Sequence, residues 1–173
     1  MSASLYTPEQ RRRRDASPWT TVQAVLAPLQ FAIFAVSLWL VIAYLSSGEG
    51  FQAATASVIV KTGVLYLIMI TGAIWEKDVY GQYLFAPAFF WEDVMSMLVL
   101  ALHSAYVVAV LFNLFSPHTQ MLIALAAYGT YLINAAQYVW KLRRARLGAQ
   151  SSASQLPATQ LSAPQSTPSE ARA

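Results

Sequence analysis

Four long apolar stretches, at about residues 21–45, 53–75, 93–115 and 120–140, alternate with short polar segments along the chain. Each is long enough to cross a bilayer as a helix, which takes about 20 residues. The pattern predicts an all-α polytopic membrane protein, a four-transmembrane-helix bundle. Ser17-Pro18 and Ser116-Pro117 each place a capping residue and a first-turn proline before an apolar run. After Leu147 the composition changes to Ala, Ser, Gln, Pro and Thr. Such a segment has nothing with which to build a core, so residues 148–173 are expected to form a disordered tail. The remaining divisions are a basic arm over residues 1–20, a connector over 76–92 and a basic flank over 141–147.

Composition narrows this further. Of 173 residues, 57% are hydrophobic and 11% charged, with a mean hydropathy of +0.45. A soluble domain carries about a quarter charged residues. No cysteine is present, which excludes disulfides, thiolate metal sites and cysteine nucleophiles. The net charge of +3 does not point to nucleic acid, because the arginines flank apolar spans. Arg11 to Arg14 precede the first run, yet that run is too long for a signal peptide and contains Gln23, Pro28 and Gln30, so it reads as a retained span. Arg11 to Arg14, Lys77, Lys141, Arg143, Arg144 and Arg146 all fall on one side of a four-span topology, whereas residues 46–52 and 116–119 contain no Lys or Arg. Both termini and the 76–92 connector are therefore expected in the cytoplasm.

Chemistry concentrates in that connector. Between Trp75 and Asp93 lie four of the chain's eight carboxylates and a dense set of aromatic residues. Glu76 closes one helix and Glu92 opens the next, so the two are candidates to approach each other. Carboxyls beside Trp75, Phe89, Phe90 and Trp91 lose hydration, which favours the protonated form a general acid needs. The plainer reading is of solvated helix-end charges beside an interfacial aromatic belt. In the third span, Glu92, Ser96, Val99 and His103 share one helix face and place His103 near the midplane. A histidine there is a buried structural residue, an axial ligand to a metal macrocycle, or an acid/base group. Gln23, Gln30, Ser37 and Tyr44 recur every seven residues, a seam facing neighbouring helices. Lys61 is expected to snorkel to the outer surface. Tyr131, Asn134, Gln137 and Tyr138 lie in the cytoplasmic half of the fourth span.

The strings Gly72-Ala73-Ile74-Trp75-Glu76-Lys77 and Gly81 to Asp93, with Ser96-Met97 and Ala101-Leu102-His103, are distinctive. Together with Leu5 to Arg14 and Ser17-Pro18-Trp19, they resemble the 3-vinyl (bacterio)chlorophyllide hydratase family, from near the N-terminus to about Arg146. The resemblance implies a hydro-lyase adding water across the C3 vinyl group of chlorophyllide a or bacteriochlorophyllide a to give a 3-(1-hydroxyethyl) group. It implies no cofactor and no metal of the protein's own. It also implies residence in a bacterial inner, photosynthetic membrane, with other pigment-biosynthesis enzymes as further candidate partners. Under it Glu92 is the expected general acid, with Asp93 or Glu76 holding the water. His103, Ser96, Trp75, Trp91 and Asn134 are expected to contact the Mg-tetrapyrrole, His103 as a candidate ligand to its magnesium. The alternatives are a non-enzymatic pigment-binding or assembly factor, in which the acids dock partners, and a small transporter using Lys61 and the Gln23–Tyr44 seam.

Overall fold

The computed structural model describes residues 5–154, with side chains to residue 147. Its elements are α1 (Pro8–Ala16), α2 (Pro18–Ser47), α3 (Phe51–Tyr80), α4 (Phe90–Leu111) and α5 (Pro117–Ser154). All are helical, and α2 to α5 are long and apolar enough to span a membrane. The 30 residues of α2 and of α3 each reach about 45 Å, more than the roughly 30 Å of hydrocarbon. Their ends therefore overhang, and α3 carries its helix past Trp75 to Tyr80. The connector predicted over 76–92 is in fact only residues 81–89.

Local sequence explains the helix ends. Thr7 and Gln10 form a capping box on α1, with Pro8 in the first turn. The basic arm is thus a helix, a feature already written in Thr7-Pro8-Glu9-Gln10. Ser17 stands at the N-cap of α2, but its hydroxyl donates to Asp78 Oδ2 at 2.7 Å and accepts no bond from the helix's own amides. That bond, with the Tyr6 ring stacked 6.0 Å from Tyr80, docks α1 on the end of α3. Gly48 and Gly50 take left-handed conformations (φ 76° and 84°), which lets α2 turn tightly into α3. At the other end of the chain, α5 continues to Ser154, seven residues into the stretch expected to be disordered. The first helix-breaking proline there is Pro157, so nothing earlier stops it. Residues 155–173 lie outside the described residues.

Packing is unequal. α2 packs most extensively on α3 and α4 on α5, while contacts between these two pairs are fewer. The bundle is therefore two tight helical pairs meeting along a seam. Its core is Phe34, Val41, Ala54, Val58, Tyr106, Met121, Ala124 and Tyr128. The polar seven-residue repeat on α2 faces inward as expected. Gln23 Nε2 donates to Thr71 Oγ1 (2.7 Å), and the Ser37 hydroxyl bonds both Ser57 (2.7 Å) and Tyr128 (2.6 Å). The outward faces carry exposed Leu29, Val36, Trp39, Ile70 and Leu132. A continuous apolar exterior is what lipid requires and what water penalises.

Lys61 departs from expectation. It does not snorkel but is fully buried, its Nζ 4.0 Å from the Tyr131 ring centroid and 5.4 Å from that of Tyr128. The aromatic faces of the facing pair hold the ammonium inside.

The one-sided basic residues predict orientation. A reporter inserted between Gly48 and Gly50 should read periplasm, and one fused after Leu147 should read cytoplasm. The reverse pattern would overturn the topology.

Candidate active site

Seven helix-borne polar side chains converge where the α3–α4 connector meets α5. Glu76 comes from the last turns of α3, Glu92, Asp93 and Ser96 from the first turns of α4, and Asn134, Tyr138 and Lys141 from α5. The stripe Glu92, Ser96, Val99 and His103 is buried throughout, as its spacing predicted.

Glu76 and Asp93 lie within hydrogen-bonding reach of each other, both almost without solvent contact (4% and 3% exposed). An ionised carboxylate only accepts hydrogen bonds, so two carboxyls bond each other only when one carries a proton. Each also accepts an amide from the connector. Phe85 N–H donates to Asp93 Oδ2 at 2.8 Å, and Ala86 N–H to Glu76 Oε2 at 3.3 Å. Phe85 sits at φ 60°, a left-handed conformation that costs a residue with a Cβ roughly 1–2 kcal/mol. The bond from its N–H to Asp93 holds it there. The carboxyl pair and the fold of the connector are thus one arrangement.

Phe89, in the connector between the two acids, is buried, 2% exposed. Its ring meets Trp75 (5.8 Å) and Tyr80 (5.9 Å) edge-on and stacks on Tyr138 (6.0 Å). Trp75 is fixed from the other side, its Nε1–H donating to Thr20 Oγ1 at 3.0 Å. Trp91 is elsewhere. It is 72% exposed and forms an outer ridge with Phe90 and Phe85, the belt-like arrangement of the plainer reading. Of the two tryptophans named from sequence, only Trp75 is near the carboxyls.

Glu92 does not have the surroundings expected of it. Lys141 Nζ donates to Glu92 Oε2 at 2.6 Å, and the same ammonium lies 4.7 Å from the Phe89 ring centroid. Lys77, the neighbour expected to favour an ionised Glu76, turns outward to the Tyr83 hydroxyl (2.9 Å). The cation therefore accompanies Glu92, and Glu76 is the carboxyl paired with another acid. Sequence adjacency misled because helical neighbours i and i+1 point about 100° apart.

Asn134 Nδ2 donates to Ser96 Oγ at 2.9 Å, and the Tyr138 phenol lies near the same hydroxyl. The Asn134 Oδ1 and Gln137 Oε1 atoms are buried without a partner among the described residues. Tyr138 and Lys141 are the residues that sequence reading did not select. Their signal was present, since Asn134, Tyr138 and Lys141 fall at i, i+4 and i+7 on one face of α5. His103 lies deeper and apart. Its Nδ1 donates to the Val99 carbonyl at 2.8 Å, while Nε2 is buried without a partner among the described residues. Among the described residues no three acidic or histidine side chains converge as a metal site.

A family model described as 2-vinyl bacteriochlorophyllide hydratase matches residues 6–144. The chain belongs to this family. The protein of Rhodobacter capsulatus named 2-vinyl bacteriochlorophyllide hydratase is 65% identical over 148 residues, 86% of each chain. The protein of the same name from Cereibacter sphaeroides is 66% identical over 144 residues, 83% of this chain and 89% of that one. No solved structure matches. The matched region includes the carboxyl pair, the connector and Lys141, and stops short of the end of α5.

The Glu92–Lys141 contact is part-buried, with side-chain exposures of 11% and 25%. Lys141→Met, which strands Glu92, should lower stability in detergent by roughly 1–3 kcal/mol. Glu92→Gln combined with Lys141→Met should recover most of that loss. Strictly additive effects in this double-mutant cycle would show that the two do not interact.

Proposed function

We propose that this protein is a hydro-lyase that adds water across the C3 vinyl group of chlorophyllide a or bacteriochlorophyllide a, giving the 3-(1-hydroxyethyl) derivative. The names of its relatives and the extent of the match support the reaction class. The observation that carries the mechanism is the buried Glu76–Asp93 contact, since it stores one proton beside a carboxylate in a water-poor setting.

The steps balance on that pair. Its proton goes to the terminal vinyl carbon, forming a C–H bond from the π electrons. The cation left on the adjacent carbon is delocalised into the macrocycle. Water then forms the new C–O bond as its proton passes to the carboxylate, so the pair ends with the proton count it began with. The ring undergoes no net oxidation or reduction. Asn134, Ser96 and Tyr138 are placed to hold the water, Asn134 through its unpartnered Oδ1. Glu92, paired with Lys141, is assigned to fixing α4 against α5, not to giving the proton. His103 is ten residues from Asp93, about 15 Å of helix rise, which exceeds the distance from a tetrapyrrole's centre to its rim. One substrate ring cannot have its vinyl at the pair and its magnesium on His103, so His103 is not assigned to the metal.

The carboxyls lie at the basic end of the bundle, which supports a cytoplasmic active site in the inner membrane, with both termini on that side. Other enzymes handling the same apolar pigment are natural neighbours there.

Membranes containing the protein should convert chlorophyllide a to the hydroxyethyl product, whereas a pigment carrier would return it unchanged. Glu76→Gln and Asp93→Asn should each lower turnover by roughly two to four orders of magnitude, the scale for losing an acid/base group. Glu92→Gln should cost less than about tenfold. Should Glu92→Gln abolish turnover in a folded protein while Glu76→Gln does not, the assignment of the acid fails.

A further inference from the structure

The carboxyl pair is shut away from any substrate. Glu76 and Asp93 are 4% and 3% exposed, yet a group that protonates a vinyl carbon must come within roughly 3–3.5 Å of it. A flat ring of tetrapyrrole size therefore reaches the pair only if a wall of the site moves. A groove of about 810 Å³ along α1 and one of about 350 Å³ on the outer face of α2 and α3 touch neither the carboxyls nor the 81–89 connector.

Three of the walls are membrane helices, α3 carrying Glu76, α4 carrying Asp93 and α5 carrying Tyr138 and Lys141. The fourth is the connector, which has no helix of its own. It leaves α3 at Gly81, whose left-handed φ of 86° ends the helix without strain. Two bonds latch it to the pair, from Phe85 N–H to Asp93 (2.8 Å) and from Ala86 N–H to Glu76 (3.3 Å). The first of these holds Phe85 at φ 60°, so its release lets that residue relax. Of residues 81–89 only Ala86 and Phe89 are buried. Phe89 ends the latched stretch, its N–H donating to the Ala86 carbonyl at 2.7 Å. Its ring fills a box made by Trp75, Tyr80 and Tyr138, with the Lys141 ammonium 4.7 Å from its centre. The walls of that box border the carboxyls. Trp75 precedes Glu76, Tyr80 is one turn beyond it, and Tyr138 lies within electrostatic reach of both acids. A flat phenyl stacked on Tyr138, with two rings edge-on, makes contacts that a flat pyrrole can take over.

We infer that residues 81–89 are a lid, and that the box Phe89 fills is the subsite for the vinyl-bearing pyrrole of the substrate. This rests on the hydratase reading and deepens it. Opening breaks the two amide bonds, withdraws the Phe89 ring and uncovers the carboxyls. The pyrrole then takes the vacated box, with its vinyl beside the pair. Exposed Phe85, Phe90 and Trp91 set the opening at the membrane edge, from which an apolar pigment arrives. Because Phe89 and substrate compete for one box, only the open fraction of the protein binds, and apparent affinity is scaled down by that fraction.

The test uses the full-length protein in detergent and the 3-ethyl analogue of chlorophyllide a, which has no vinyl to hydrate. The chain has no cysteine, so Tyr83→Cys on the connector and Arg143→Cys on α5, both exposed positions, carry a unique pair of spin labels. Hydration of chlorophyllide a by the labelled protein shows that the labels leave it intact. Saturating analogue should move the distance between the labels to a new value. Phe89→Ala, which empties the box, should bind the analogue about tenfold tighter or more. A folded Phe89→Ala protein that binds it no more tightly than wild type would overturn the proposal. If Phe89→Ala fails to fold, the label distance decides alone. An unmoved connector with the analogue bound refutes the lid and leaves the hydratase standing. A wild type that neither hydrates chlorophyllide a nor binds the analogue refutes the hydratase reading and this proposal with it.

Discussion

The contact between Glu76 and Asp93 is the interaction on which the rest of the site depends. Two carboxyls brought together out of water need a proton between them, and that single requirement links fold to chemistry. The carboxyl groups also accept the amides of Phe85 and Ala86, which shapes the connector that leads into Phe89. The carboxyl pair and the loop anchor are here one object. Any change that removes one carboxyl also releases the loop, which is why an isosteric amide is a cleaner probe than alanine.

Lipid enforces the economy seen elsewhere in the bundle. Inside hydrocarbon a polar group bonds another protein group or carries a large penalty, so inward polar residues report on neighbours or on ligands. Gln23, Ser37 and Ser96 find neighbours. Among the described residues, the Gln30 amide, Lys61 Nζ, His103 Nε2 and the Asn134 carbonyl oxygen do not.

Charge pairing decides which acid does what. Lys141 holds Glu92, and by doing so joins α4 to α5 at the membrane edge. The ammonium is close to Phe89 as well, so the same cation steadies that ring. Asp93, one residue on from Glu92, points elsewhere and meets Glu76. Two adjacent residues on one helix thus serve different partners.

Much of this was legible in the residues themselves. Apolar runs of bilayer length, two of them opened by Ser-Pro pairs, determine four helices, because backbone groups in lipid must bond within their own segment. Periodicity alone placed Glu92, Ser96, Val99 and His103 on a buried face, and the acid-aromatic string marked the connector. What stayed hidden was partnership. Helix periodicity shows which way a side chain points relative to its own axis, but not which helix stands opposite or at what height. Pairing of Glu76 with Asp93, of Glu92 with Lys141, and of Lys61 with three aromatic rings each spans different helices and 17 to 70 residues of chain. Such contacts depend on the vertical register of packed helices, which the tertiary structure alone decides.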